Sequence, residues 1–104
     1  MSKSISARER IMDISLNLAR VGNWTADSYD DKKNLIARLI SQTDGYIKEV
    51  SQKNLNKDLT DVFEKFKKEF NNLKSEKVKD SNKHWWAERA LTWANILQHR
   101  AKPA

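Results

Sequence analysis

The two histidines, His84 and His99, are the first residues to consider for chemistry, because the chain contains no cysteine. On one helix their separation of fifteen positions places them about 22 Å apart along the axis, so they cannot share a metal ion. His84 and Glu88 are spaced to lie on one helical face, but one histidine and one carboxylate make a weak metal site. The sequence therefore predicts no metal centre.

Other patterns that support catalysis are missing as well. Only Gly22 and Gly45 occur, so a glycine-rich phosphate loop cannot form. Without cysteine there is no thiolate nucleophile, and no serine has the neighbours of a nucleophile elbow. Carboxylate pairs such as Asp30 and Asp31 fall where a helix is predicted to begin, and helix capping explains them. We expect a protein that is not an enzyme and that uses no cofactor.

The segment 81–100 remains as a candidate functional surface, because it holds three of the four tryptophans. Trp86 and Trp93 share one helical arc with several alanines, which is typical of a face packed in a core. Trp85 lies about 100° away from Trp86, on a second strip. The members of that strip are Trp85, Arg89, Thr92, Ile96 and Arg100. The first interpretation is that Trp85 covers the rim of the fold and packs its ring against a loop or the stem of Arg89. The second is a partner-binding strip, because aromatic and guanidinium groups together are typical of protein interfaces.

Charge suggests a second use for the same segment. The net charge is +6, and residues 81–104 carry four basic and one acidic side chain, which is half of that excess. Such a balance permits contact with nucleic acid or with an acidic protein without requiring either. The candidate nucleic-acid contacts are Lys83, Arg89, Arg100 and Lys102. A long polar connection precedes this helix, whereas helix-turn-helix recognition needs a short turn, so nucleic acid is the second choice.

Helical periodicity places this segment on the last of four predicted helices, and only three glycine and proline residues interrupt the chain. The predicted helices are roughly 5–21, 28–52, 57–74 and 82–101. Amphipathic helices with short connections predict a single all-α domain over 1–104, arranged as an up-down-up-down four-helix bundle. A three-helix arrangement with the first segment docked differently is the main alternative.

Capping residues set the expected helix boundaries. Gly22 is a natural stop for the first helix, and Asp27 or Ser28 is suited to cap the second. Gly45 lies within the second predicted helix, where the apolar stripe keeps its phase, which indicates one helix that is straight or bent. Asn56 or Asp58 is a suitable cap for the third helix.

The first predicted helix has an unusually wide apolar face. Its first stripe consists of Ile11, Ile14, Leu18 and Val21, and a second stripe about 120° away consists of Ile5, Met12, Leu16 and Ala19. A helix that is apolar around so much of its circumference needs two neighbours, or one neighbour and a second subunit. We therefore expect this face to be an interface that can support a homo-oligomer. Trp24, in the connection that follows, is predicted to fold back over one end of the bundle.

No segment approaches the roughly 18 apolar residues of a membrane span. Arg8, Glu9 and Arg10 precede any apolar run, which is unlike a signal peptide, so we predict a cytoplasmic protein with no membrane contact. The favoured function is a small helical interaction module, such as an adaptor, a regulator or an assembly subunit, that binds a partner protein through the Trp85 strip. The identity of that partner does not follow from the sequence.

Overall fold

The computed structural model describes residues 6–101, and most of them are helical. Within this range the chain forms three helices and no strand. The helices are α1 (Ala7–Ser51), α2 (Lys57–Ser75) and α3 (Lys83–Ala101). The all-α class is confirmed, whereas the predicted count of four separate helices is wrong. The difference lies in α1, a single 45-residue element that covers both of the first two predicted helices.

α1 folds back on itself. A straight helix of this length would extend about 68 Å at 1.5 Å per residue, but the longest dimension of the fold is 41 Å. The backbone leaves helical geometry at Ser28, where φ is −147° and ψ is 36°. We call 7–27 the first arm and 29–51 the second arm. They run antiparallel, because Arg10 Nε near the start of α1 donates to Glu49 Oε2 near its end at 2.6 Å.

Contacts among the other segments show that neighbouring segments alternate in direction. On the second arm, Asp44 accepts a hydrogen bond from Lys74 Nζ of α2 at 2.9 Å. Ser51, later in the arm, accepts instead from Lys67 Nζ, earlier in α2, at 3.5 Å. The indole Nε1 of Trp86 on α3 donates to the Leu73 carbonyl of α2 at 3.0 Å. α3 then returns to the first arm, where Arg8 donates to the Ala101 carbonyl at 3.2 Å. The chain therefore encloses its core with four helical segments that belong to three helices.

The contact between the first arm and α3 is close, and Gly22 is the reason. The prediction that Gly22 ends a helix is wrong, since α1 continues through it. A Cβ added at this position would lie 2.6 Å from Leu91 Cγ and 3.1 Å from the Ala87 carbonyl oxygen. Further along the same contact, Ser15 Oγ donates to the Ala94 carbonyl oxygen at 2.7 Å. Gly22 thus allows two backbones to approach rather than stopping a helix.

The other predicted boundaries agree better with the structure. The break in α1 falls at Ser28, one of the two positions predicted to begin the second helix. Gly45 lies inside the second arm, which stays helical through it, as the unbroken apolar phase indicated. Of the two residues predicted to cap α2, Asn56 does so, because its Oδ1 accepts from the Leu59 backbone N–H at 2.8 Å.

Two apolar clusters form the core. The larger one is centred on Phe66, which is completely buried and whose ring lies 5.7 Å from those of both Phe70 and Trp93. The second lies towards the bend in α1 and consists of Val21, Ile36, Leu73, Trp86 and Ala90. Trp24 belongs to α1 rather than to a connection, and it packs partly buried against this second cluster.

The wide apolar face of the first arm is used inside the chain. Ile11, Ile14 and Leu18 are at most 2% exposed, because the second arm and α3 both pack on them. These three side chains are therefore not available to a second copy, and the expectation of self-association through them is corrected. Leu16 of the second stripe is 54% exposed, and Ile5 lies outside the described residues. Two further members of that stripe, Met12 and Ala19, are partly buried.

Within residues 6–101, none of the helices combines the length and apolarity needed to cross a lipid bilayer.

Candidate functional site

α3 buries one face and exposes another, as the two tryptophan arcs predicted. The buried side chains are Trp86, Ala87, Ala90, Ala94, Leu97 and Ala101. Trp86 is only 3% exposed, and its indole N–H is satisfied by the Leu73 carbonyl, so its predicted core position is confirmed. Trp93 is less deeply buried than predicted, and its ring packs against Phe66 from the edge of the core.

Trp85 is 50% exposed. The other members of the predicted strip also reach the surface, since Thr92 and Arg100 are exposed and Arg89 and Ile96 are partly buried. The structure brings Trp85 and Arg89 together, with the guanidinium carbon 5.1 Å from the centre of the indole ring. This spacing is typical of a cation–π contact, so the position of the Trp85 side chain is supported by its own helix.

Two depressions meet at Trp85 and Arg89. The larger, which we call the α2–α3 groove, has a volume of about 460 Å³ and is lined by Glu69, Asn72, Leu73, Ser75, Glu76, Trp85 and Arg89. The smaller, which we call the side pocket, has a volume of about 210 Å³ and is lined by Trp85, Glu88, Arg89, Thr92 and Trp93. Because Trp85 and Arg89 line both, they form a ridge between the two depressions.

The sequence did not predict that α2 forms one wall of the groove. Glu69, Asn72 and Glu76 recur at spacings of three and four, which places them along one edge of α2. The spacing alone does not show which edge of α2 lies beside α3. That choice depends on how the phenylalanine face of α2 is oriented in the core, where Phe63, Phe66 and Phe70 are buried.

Arg89 is held from both sides of the groove. Besides its contact with Trp85, its guanidinium forms a hydrogen-bonded ion pair with the Glu69 carboxylate of α2. Glu69 neutralises Arg89, and the pair ties the exposed side of α3 to α2. Arg89 therefore acts as a positioned support for the Trp85 ring rather than as a free cation.

The lining of the two depressions is acidic, although the whole chain carries a charge of +6. Glu69, Glu76 and Glu88 contribute three carboxylates and Arg89 one guanidinium, which leaves −2. Within residues 6–101, neither Glu76 nor Glu88 forms an ion pair. The side chains that line the two depressions beside Trp85 thus carry a net negative charge.

Three of the four candidate nucleic-acid contacts lie within residues 6–101, and the fold does not bring these three together. Arg89 is paired with Glu69. Lys83 and Arg100 are separated by about 25 Å along α3, and Lys102 lies outside the described residues. The depression beside Lys83 is itself acidic, because its other lining residues are Asp27, Ser28, Tyr29, Asp30, Asp31 and Asp80. Within residues 6–101, the positions Lys83, Arg89 and Arg100 therefore do not form one basic cluster.

Among residues 6–101, no group of three or more histidine, aspartate or glutamate side chains is arranged to hold a metal ion. Comparison of the chain with protein-family models, with curated proteins and with solved structures finds no match. Any proposal about function therefore depends on the geometry of the chain itself, and the exposed tryptophan between two depressions is its most distinctive surface feature.

Proposed function

We propose that this protein is a helical interaction module that binds a segment of a partner protein in the α2–α3 groove, with Trp85 as the main contact. The observation that carries the proposal is the half-exposed indole at the edge of a groove. Tryptophan and arginine are the residues most enriched among those that dominate interface energies. A tryptophan that served only the core would be buried as Trp86 is.

The arrangement is suited to binding because Trp85 is already held in place. Arg89 stacks on the indole, and Glu69 on the neighbouring helix holds Arg89. An interface side chain that is fixed before binding loses little conformational entropy when the complex forms. The groove therefore offers a large apolar contact that is partly ordered in the free protein.

The size of the site indicates the kind of complex. A groove of about 460 Å³ with a side pocket of about 210 Å³ accommodates a few side chains rather than a broad protein surface. A short segment buries less surface than a standard protein–protein interface, and buried areas below about 1,200 Å² are typical of weak, transient complexes. We therefore propose a short segment as the bound element, and a complex that forms and dissociates readily.

Local charge favours protein over nucleic acid as the partner. A phosphate backbone placed on Trp85 would meet Glu76 and Glu88, both of which lack an ion-pair partner within residues 6–101. Phosphate recognition depends on several basic side chains acting together, and the basic residues of α3 are spread along it. A cytoplasmic location and the lack of enzymatic activity stay predictions from the sequence.

The proposal is tested by comparing the partner proteins that wild-type protein and Trp85→Ala capture. Tagged wild-type protein, Trp85→Ala and the control Leu16→Ala are each incubated with native extract, half of it treated with nuclease, and the bound proteins are quantified. Leu16 is a suitable control because it is equally exposed but lies on the first arm, outside both depressions. We expect a nuclease-resistant protein that the wild type and Leu16→Ala retain, and that Trp85→Ala loses about 10-fold or more.

Two results would contradict the proposal. Equal capture by Trp85→Ala and the wild type would show that the groove is not the binding site. Capture that disappears after nuclease treatment would make nucleic acid the ligand. Circular dichroism is used to monitor thermal unfolding of all three proteins. This checks that reduced capture does not reflect a loss of folded protein.

A further inference from the structure

The two unpaired acids lie on opposite sides of the Trp85 ridge. Glu76 lines the α2–α3 groove and Glu88 lines the side pocket, while Trp85 lines both. Glu76 follows the last residue of α2, and Glu88 is one turn along α3 from Trp85. A bound segment that crosses the ridge therefore passes a carboxylate, an indole ring and then a second carboxylate.

The charge preference comes from two carboxylates that act on the same bound segment. Glu76 and Glu88 are both exposed, so each ion pair contributes modestly, and the two contributions add along one segment. Among the described residues that line the two depressions, Arg89 alone is cationic, and it already has Glu69 as its partner. The aromatic ring adds to the same preference, because its face also attracts cations.

We propose, building on the proposed binding function, that the partner segment is basic: it places an apolar side chain on Trp85 and a lysine or arginine on each side of it. One cation pairs with Glu76 and the other with Glu88. The local charge of −2 selects this segment against acidic ones, although the chain as a whole carries +6. Recognition thus depends on the sign of the site and not on that of the whole protein.

Two synthetic peptides test the proposal. The lysine peptide is nine residues long and has a leucine flanked by two lysines within a glycine-serine background. Its twin is identical except that both lysines are replaced by glutamates. Each is titrated into ¹⁵N-labelled full-length protein at low salt, and the indole N–H signal of Trp85, assigned with Trp85→Phe, is followed by NMR. We expect a saturable shift with the lysine peptide, at an affinity about 10-fold or more above that of its twin.

A matched pair of double variants links the effect to the two acids. The double variant that carries both Glu76→Gln and Glu88→Gln should bind the lysine peptide about 3- to 10-fold more weakly than the wild type. Asp61→Asn with Glu64→Gln is the control, because it changes the net charge equally but alters exposed residues of α2 that line neither depression. The control variant should bind as the wild type does.

The outcomes separate this proposal from the function on which it depends. Equal binding of the two peptides, or no shift of the Trp85 signal with the lysine peptide, would overturn the basic-segment proposal. The proposed function would fail separately, if Trp85→Ala retained the captured partner. A partner that is lost with Trp85→Ala but fully retained by Glu76→Gln with Glu88→Gln would leave the groove as the binding site and exclude this charge preference.

Discussion

The two sides of α3 differ in how they meet their neighbours. Against the first arm of α1, the contact is made by small residues such as Gly22, Ala87 and Ala94, and the backbones approach closely. Against α2, the contact is made by Phe66, Trp93 and other large side chains, and a groove of about 460 Å³ remains beside it. One helix therefore has a closed side and an open side.

The difference follows from side-chain volume. Small residues let two helices lie near the lower end of the usual 8–10 Å separation, whereas aromatic rings keep them further apart. Rings fill the space between α2 and α3 where Phe66 meets Trp93. Near the end of α2 the buried residues are Leu73 and Trp86, and the neighbouring Trp85 stays half exposed. The candidate site is therefore a consequence of core packing and needs no separate binding element.

The largest effect is expected for Phe66→Ala. Phe66 is completely buried, and its ring contacts those of Phe63, Phe70 and Trp93. Removing it leaves a cavity between α2 and the rest of the core, so the free energy of unfolding should fall by about 3–5 kcal/mol. Urea denaturation followed by circular dichroism measures this. A loss below about 1 kcal/mol would show that the aromatic rings of α2 contribute little to the stability of the fold.

A smaller loss is expected on the closed side, for Gly22→Ala. The added methyl group would lie 2.6 Å from Leu91 Cγ, so α1 and α3 must move apart or Leu91 must change its rotamer. Overpacking of this kind lowers the free energy of unfolding by about 1–3 kcal/mol. Thermal unfolding measures the change.

Gly45→Ala is the matched control for that variant, because both glycines lie inside α1. Nothing lies within 4 Å of a Cβ added at Gly45. The substitution should therefore raise the free energy of unfolding by about 0.5–1 kcal/mol, as expected for alanine in a helix interior. Equal changes in the free energy of unfolding at the two positions would mean that the close contact with α3 does not explain why position 22 is a glycine.

The smallest effect on stability is expected on the open side, for Trp85→Ala. Half of the Trp85 side chain is exposed, and its main described contact is Arg89 of the same helix. The free energy of unfolding should fall by less than about 1 kcal/mol. A loss comparable to that of Phe66→Ala in the same urea experiment would make Trp85 a structural residue and remove the main support for the proposed function.

Part of the candidate site could be predicted from periodicity. The 100° step of a helix separates Trp85 from Trp86, and the structure buries Trp86 while leaving Trp85 half exposed. Asn56 was correctly predicted as a cap because its interaction is local, with a backbone N–H three residues away. Gly22 was misinterpreted because its role depends on Leu91, a residue far away in the chain.

By itself, the sequence determined the helical class and the direction in which each side chain points from its own helix, because both depend on residues within a few positions of each other. The tertiary structure alone decided that 7–51 forms one folded-back helix and that Ile11 and Ile14 are covered from two sides. It also decided that Glu69 and Glu76 lie beside Trp85. These features depend on which helices become neighbours, and that is set by the packing of side chains distant in the chain.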